Sequence, residues 1–245
     1  MTARPAGSPG PGAGPAVAML ARSPLVAGKT RLTAGLDASV ATVLRTALLL
    51  DTIEAALGPG WPVHVYLDPA SHAGQVAALI DDDAGLATAA ARVSWHPQGE
   101  GDLGQRMTDA VRRTTAAGHD VVVLVGSDLP DLPGAVLAEA GDALAGTREG
   151  STVVFGPAAD GGFYLVAATD AAGLASAFAG VAWSQETVLN RVTARLTAAG
   201  VTVKQVRPWH DIDDAAGLAA LALRTGTGAP RTRRLLRAIP SYNQG

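Results

Sequence analysis

Two carboxylates stand just past the most apolar run of this chain, where an open α/β sheet would present them to a ligand. Val121-Val122-Val123-Leu124-Val125 is unbroken and β-branched, as suits a strand buried on both faces of a parallel sheet. It breaks at Gly126 into Ser127-Asp128-Leu129-Pro130-Asp131-Leu132. Ligands of open α/β sheets sit beyond the carboxyl ends of the strands. A carboxylate there can hold a divalent metal that bridges phosphate oxygens. Alternatively, Asp128 or Asp131 caps the helix that starts near Pro133. Two further sets of charges sit in comparable places. Arg22, Lys29 and Arg31 follow the first apolar run, Ala16 to Leu20, and Asp211, Asp213 and Asp214 follow the last, Val201 to Val206. Cations for phosphates and aspartates for a metal on those phosphates are complementary needs of phosphate-group chemistry. Any one of these residues, taken alone, is equally an ordinary surface charge. The spacing of glycines before Lys29 is not that of a Walker loop, and no Gly-x-Ser-x-Gly elbow is present.

The elements that would carry these groups alternate along the chain. Helical periodicity runs from Ser39 to Leu57 through Val40, Val43, Leu44, Ala47, Leu50 and Ile53. Strands follow at Pro62–Leu67 and Ala91–His96, with a short helix over Ser71–Ile80 between them. Asp81-Asp82-Asp83 reads as a solvated loop. Asp102 can cap a helix from Leu103 to Ala117 that Gly118 ends, and Pro133 can open one that runs to about Ala145. Alternation of strand and helix predicts a single Rossmann-like, three-layer α/β domain with a mostly parallel sheet. After Gly150 two strand-like runs, Thr152–Phe155 and Phe163–Ala167, flank Asp160-Gly161-Gly162, which is either a tight turn or a close approach of backbone to ligand. Helices are expected over Ala171–Phe178 and Ser184–Ala199, with Ser184 as N-cap, and from beyond Asp214 to about Arg224. His64, His72, His96 and His119 lie apart from these charged loops, although His96 borders one, and His210, beside Asp211, reads as a hydrogen-bonded structural residue rather than a base.

Composition bounds the rest. The chain has 245 residues, 48% hydrophobic and only 4% aromatic, so its core must be aliphatic. A net charge of -3 gives no basic footprint for nucleic acid. Without cysteine there are no disulfides, thiolate metal sites or Cys nucleophile. No apolar run approaches the ~18 residues that span a bilayer. Residues 1–15, rich in Pro, Gly and Ala, lack the pattern of a secretory signal and are expected to be a disordered tail before a cytoplasmic domain at 16–224. Residues 225–245 form a basic amphipathic extension, with Arg231, Arg233, Arg234 and Arg237 around Leu235, Leu236 and Ile239, expected to dock on the domain as a solvated helix. Oligomeric state is open.

Several stretches, in this order, resemble a known family: Arg22-Ser23-Pro24 with Lys29-Thr30-Arg31-Leu32; Gly101-Asp102-Leu103-Gly104-Gln105-Arg106-Met107; Gly126 to Leu132; Gly156 to Leu165; Trp183-Ser184; and Asp211-Ile212-Asp213. Together they look like a bacterial branch of the nucleotide-diphospho-sugar transferase superfamily, with the glycosyltransferase-A fold, whose members sit near radical-SAM, arsenosugar and selenium-related genes. The superfamily also holds nucleotidyltransferases such as phospholactate and molybdenum-cofactor guanylyltransferases. The resemblance implies a transferase that uses Mg²⁺ or Mn²⁺, with Asp128, Asp211 and Asp213 as metal ligands. Lys29 and Arg31 would neutralise a di- or triphosphate and serve catalysis with Asp128. Arg22, Gly101, Gly104, Arg106, Asp131, Asp160, Gly161, Gly162 and Ser184 would bind substrate, the Asp160 turn at the acceptor. The partners implied are a nucleotide or nucleotide sugar and a small-molecule acceptor. Glycosyl transfer leads, with nucleotidyl transfer to a phosphorylated or phosphonate acceptor, or nucleotide binding without catalysis, as alternatives. Two departures stand out. Arg22 replaces the usual first Lys in a loop one residue shorter, and the acids that normally flank the last aspartates are reduced to Asp214.

Overall fold

A computed structural model describes residues 14–147, 151–183 and 185–238. The greater part of the expected N-terminal tail, Ile239 and Ser184 fall outside the described residues.

The apolar runs assemble into one seven-stranded sheet. In chain order its strands are β1 (Pro15–Arg22), β2 (Val63–Asp68), β3 (Val93–Pro97), β4 (Val121–Gly126), β5 (Thr152–Pro157), β6 (Phe163–Ala168) and β7 (Thr202–Gln205). Their spatial order is β3-β2-β1-β4-β6-β5-β7. Neighbours pair in parallel except around β6, which runs against both β4 and β5. The helices are α1 (Ala38–Leu57), α2 (Ala73–Asp81), α3 (Leu103–Ala116), α4 (Gly134–Asp142), α5 (Ala172–Phe178), α6 (Val188–Ala198), α7 (Ala215–Leu223) and α8 (Pro230–Ala238). Short 3₁₀ turns precede α2 and β3. Among the described residues no helix is long and apolar enough to cross a membrane.

Strand alternation divides the core between the two faces. Met19, Val123 and Val125 join Leu50 and Ile53 of α1, Ile80 of α2 and Leu137 of α4 on one face. Ala18, Val122 and Leu124 join Met107 of α3, Leu174 and Phe178 of α5 and Val192 of α6 on the other. The result is a single three-layer α/β domain, as the alternation predicts.

A third cluster sits at the edge of this sandwich. Leu32, Leu44, Leu48, Ile212, Leu218, Leu221, Ala229 and Leu236 bury one another there. It joins the loop after β1 to the loop after β7, with α7 and α8 covering it. The helix of the basic C-terminal segment docks through Leu236, but its charges are not all solvated. Arg231 is buried, and its guanidinium binds Asp51 and Glu54 of α1 and Asp83. Asp51 Oδ2 also accepts the Thr232 N–H at 2.7 Å. This corrects the solvated reading of Asp83: its side chain keeps only 19% of its surface exposed, and hydrogen bonds from Arg231 hold its carboxyl below the usual carboxylate range.

Helix starts differ from expectation where no side chain caps them. Asp102 and Gln105 do form a reciprocal capping box on α3. Helix α6 begins at Val188, four residues beyond the expected Ser184, and Thr187 at its start makes no side-chain cap bond.

Candidate active site

The three charged stretches meet at the carboxyl ends of the strands. Lys29 Nζ lies 2.8 Å from Asp128 Oδ2 and 3.2 Å from Asp213 Oδ1, and donates to the Ile212 carbonyl at 3.4 Å. Arg31 stands farther out, 3.9 Å from Asp213 Oδ2 and largely exposed. A cleft of about 360 Å³ opens over this group, and Arg22, Lys29, Arg31, Arg45, Asp128 and Asp213 all line it.

Each member is placed by local chemistry. The loop after β1 starts from buried Ser23, whose hydroxyl is 2.9 Å from His72 Nδ1 and whose N–H donates to the Asp68 carbonyl. Lys29 then adopts a left-handed backbone, φ 53°. Such a conformation costs a non-glycine residue ~1 kcal/mol or more. Here the Lys29 carbonyl accepts from the N–H groups of Leu32 and Thr33 and from the Thr33 hydroxyl, which offsets the strain. Buried Leu32 anchors the loop's far end in the third core cluster.

Asp128 is held from below by α1. Buried Thr52 Oγ1 accepts the Leu129 N–H at 3.2 Å and lies within donor reach of the Leu48 and Ser127 carbonyls. Neither Asp128 nor Asp131 caps α4, whose start at Pro133 has no side-chain cap bond. The capping explanation for these carboxylates therefore fails. In the last loop, Ile212 is fully buried and its N–H donates to the Asp128 carbonyl at 2.9 Å. With the isoleucine turned into the core, Asp213 is left to face Lys29.

The floor of the cleft is rich in negative charge. Burial pushes the Asp128 carboxyl above the usual carboxylate range, the Lys29 ammonium pulls it back, and Asp213 pushes it up again. Asp128 still keeps 29% of its side-chain surface open to the cleft. Asp211 is raised by burial first, then by Asp213, Asp160 and Asp128. Among the described residues, however, no three His, Asp or Glu side chains converge as a ready-made metal cage. Asp211 thus does not complete a three-ligand set. The pair that does converge on one cation-sized point is Asp128 and Asp213, with the ammonium between them. Two carboxylates with phosphate oxygens and water as the remaining ligands is a donor set that fits Mg²⁺ or Mn²⁺.

The other expected site residues divide. The Asp160 turn lies beside the Asp211 loop, since Ala158 bridges Trp209 and Asp160 acts electrostatically on Asp211. Gly161 has φ 82°, and a Cβ there would meet the Glu186 carbonyl oxygen at 2.0 Å, so only glycine lets this turn close on the chain before α6. Gly101, Gly104 and Arg106 form a separate group at the ends of β2 and β3. Arg106 donates to the Gly101 carbonyl and to Gln98 Oε1, and Gln98 Nε2 donates to the Ala21 carbonyl just before Arg22. Gly104 packs under Trp183 and Phe178. None of the three lines the basic cleft. Asp131 is not brought to it either. Its side chain is 7% exposed and pairs with Arg224 at 2.8 Å.

Sequence reasoning missed Arg45 and Thr52. Arg45 reaches from α1 into the cleft, donating to the Pro24 carbonyl at 3.0 Å and to Thr42 Oγ1 at 2.9 Å. Burial pulls its guanidinium below the ordinary value. The available signal was a cation and buried-side polar groups within an otherwise apolar helix.

Comparisons with known proteins bear on this geometry. Residues 51–185, more than half of the chain, match the family model described as "Uncharacterized protein conserved in bacteria (DUF2064)". No curated protein matches the chain in sequence. A solved structure described as a "putative nucleotide-diphospho-sugar transferase" from Desulfovibrio desulfuricans G20 is 25% identical, with a TM-score of 0.74 over 93% of this chain and 96% of that one. A cytidylyltransferase from Leptospira borgpetersenii serovar Hardjo-bovis is 13% identical, with a TM-score of 0.48 over 94% and 97%. A 4-diphosphocytidyl-2C-methyl-D-erythritol synthase is 15% identical, with a TM-score of 0.44 over 91% and 97%. The last two likenesses are too loose to bear on chemistry. The first gives this chain the fold of a nucleotide-diphospho-sugar transferase.

Proposed function

This chain belongs to the DUF2064 family of bacterial proteins, and on that footing we propose that it is a metal-dependent transferase of a nucleotide-activated donor, moving a glycosyl group from a nucleotide-diphospho-sugar to a small-molecule acceptor. The observation that carries the proposal is the Lys29 ammonium set between Asp128 and Asp213 on the floor of a cleft walled by arginines. Cations on the walls suit a diphosphate. Two converging carboxylates suit the divalent ion that would travel with it. Asp128 and Asp213 would hold Mg²⁺ or Mn²⁺, which would act as a Lewis acid on the departing phosphate. Lys29, displaced from the aspartates, would turn to the phosphates along with Arg31 and Arg22. The Desulfovibrio structure described above supports this reading. It is compatible with the radical-SAM-associated branch that the motifs resemble.

One observation favours nucleotidyl transfer instead. Arg45 adds a fourth cation to the same cleft, and a triphosphate carries more charge to neutralise. The test incubates the purified protein with Mg²⁺ or Mn²⁺, a panel of nucleoside triphosphates and nucleotide sugars, and a panel of small-molecule acceptors that bear hydroxyl or phosphate groups. Release of nucleoside diphosphate is the expected result. Pyrophosphate release would assign nucleotidyl transfer, and nucleotide binding without either product would make the chain a binding module.

A further inference from the structure

Helix α7 starts at one carboxylate of the site and ends on a residue bonded beside the other. Its N-cap is Asp214, directly after Asp213, and the Asp214 side chain accepts the Gly217 N–H at 2.8 Å. Its C-cap is Arg224, whose Nε donates to Asp131 Oδ2 at 2.8 Å. Asp131 stands three residues after Asp128 in the same loop. The nine residues of α7 make a rigid span of about 14 Å. Buried Leu218 and Leu221 pack that span into the third core cluster with Ile212. Ile212 in turn donates its N–H to the Asp128 carbonyl at 2.9 Å. The loops after β4 and β7 are therefore joined at two points, Asp128 to Ile212 and Asp131 to Arg224. Two joints fix an angle that one joint leaves free.

The second joint is a largely buried ion pair. Asp131 keeps 7% of its side-chain surface exposed and Arg224 24%. The chain after α7 closes over it, since a Cβ on Gly228 would meet Asp131 Cα at 3.0 Å. Taking two charges out of water costs about as much as their attraction returns, so such a pair adds little stability over apolar groups of the same volume. What it adds is direction, because a hydrogen bond has a preferred length and angle that apolar contact lacks. Neither Asp131 nor Arg224 lines the basic cleft. Their bearing on it comes from Asp213, which lies one residue before the cap of the helix that the pair anchors.

We infer that Asp131 and Arg224 are positioning residues for the candidate active site. Through α7 they hold Asp213 opposite Asp128 and so set the spacing of the two carboxylates. The consequence for a bound cation rests on the transferase reading above; the joint itself does not.

The test replaces the pair by apolar groups of similar size, Asp131→Leu with Arg224→Met, so that no buried charge is left alone. The unfolding midpoint should stay close to that of the parent. Amide exchange at Ile212 should nonetheless rise about ten-fold or more, while Val123 in β4 stays within about two-fold. Affinity for Mn²⁺ alone should fall about ten-fold. Metal-free pyrophosphate, drawn by Arg22, Arg31 and Arg45 on the loop after β1 and on α1, should bind within about three-fold of the parent. A role in stability alone would leave Ile212 exchange and Mn²⁺ affinity unmoved once the midpoints match. Asp131→Asn keeps the shape and removes the charge; it is read in the same way and replaces the double variant if that one does not fold. Ile212 exchange within about two-fold of the parent in a folded variant would overturn the inference. Faster exchange with unaltered Mn²⁺ affinity would overturn it too, because the joint would then move without moving the carboxylates. If the unsubstituted chain binds no Mn²⁺, the cation site fails instead, and Ile212 exchange still decides whether the pair holds the joint.

Discussion

At the scale of single residues the site turns on Asp128. Asparagine has nearly its shape and accepts hydrogen bonds, but it brings no charge to a metal or to Lys29. Asp128→Asn should therefore fold, with a melting temperature close to that of the parent. It should lose Mg²⁺- or Mn²⁺-dependent nucleotide binding and at least ~99% of turnover, the scale of one lost electrostatic stabiliser. Mn²⁺ titration and product release measure the two losses separately. Full metal-dependent activity in this variant would remove Asp128 from the mechanism. Lys29 is the complementary case. Replaced by Ala, it should weaken pyrophosphate binding about ten-fold or more, while the freed Asp128 and Asp213 bind Mn²⁺ alone more tightly than in the parent. Weaker binding of Mn²⁺ alone would mean that the two carboxylates do not form a cation site.

At the scale of elements, α1 is the platform of the site. It supplies Arg45 to the cleft, Thr52 to the Asp128 loop and Asp51 to Arg231 of α8. Thr52→Val keeps the shape but strands the buried Leu129 N–H. The cost should be about 1–3 kcal/mol of stability, with a rise in metal dissociation constant as the Asp128 turn loosens. Chemical denaturation reads the first and Mn²⁺ titration the second. A stable variant with unaltered metal affinity would show that Thr52 only fills space. Arg231→Leu leaves the buried Asp51 carboxylate unpaired, and breaking a buried pair from one side costs about 3–5 kcal/mol. The same helix covers Ile212 and Leu32, so the damage should extend to nucleotide affinity. Unfolding curves that superpose on the parent's would refute the lock between α8 and α1.

At the scale of the whole molecule, three histidines tie the sheet edge together. His119 Nδ1 is 3.2 Å from the Gly14 carbonyl, which can only accept. That leaves His119 Nε2 to accept from His64 Nε2 at 3.1 Å, and His64 Nδ1 to accept from His96 Nε2 at 3.0 Å. The chain works with all three rings neutral. Burial, then His96 and His119, bring the pKa of His64 down to about 4. His96 is lowered as well, by burial and Arg113. The sign follows from linkage. At neutral pH both folded and unfolded chains hold His64 uncharged, and its contribution is intact. As the pH falls from about 6.5 toward 4 the unfolded chain takes up a proton that the folded chain refuses. Stability should fall by on the order of 3 kcal/mol over that window. Melting temperatures at pH 7.5 and 4.5 should differ more for the parent than for His64→Gln. Equal losses in both proteins would assign the acid sensitivity to other groups.

Much of this architecture is already written in local pattern. The β-branched run of β4, the periodicity of α1 and the alternation of strand with helix depend on each residue's own preference and its near neighbours, and they suffice for a three-layer α/β domain. The same locality places Arg22, Lys29, Asp128 and Asp213 at strand ends. It also explains Asp102, whose capping box closes within four residues. Periodicity reports which way a side chain faces but not what stands opposite. That Lys29 fits between Asp128 and Asp213, that Asp131 is spent on Arg224, and that Arg45 reaches the cleft are decided by packing between distant stretches. So is the reversal of β6 between two strands of the other direction. Asp128 and Asp131 are chemically alike and three residues apart, yet one faces the cleft and the other is buried against the half-buried Arg224. The difference lies in Thr52, Ile212 and Arg224, which only the folded chain brings beside them.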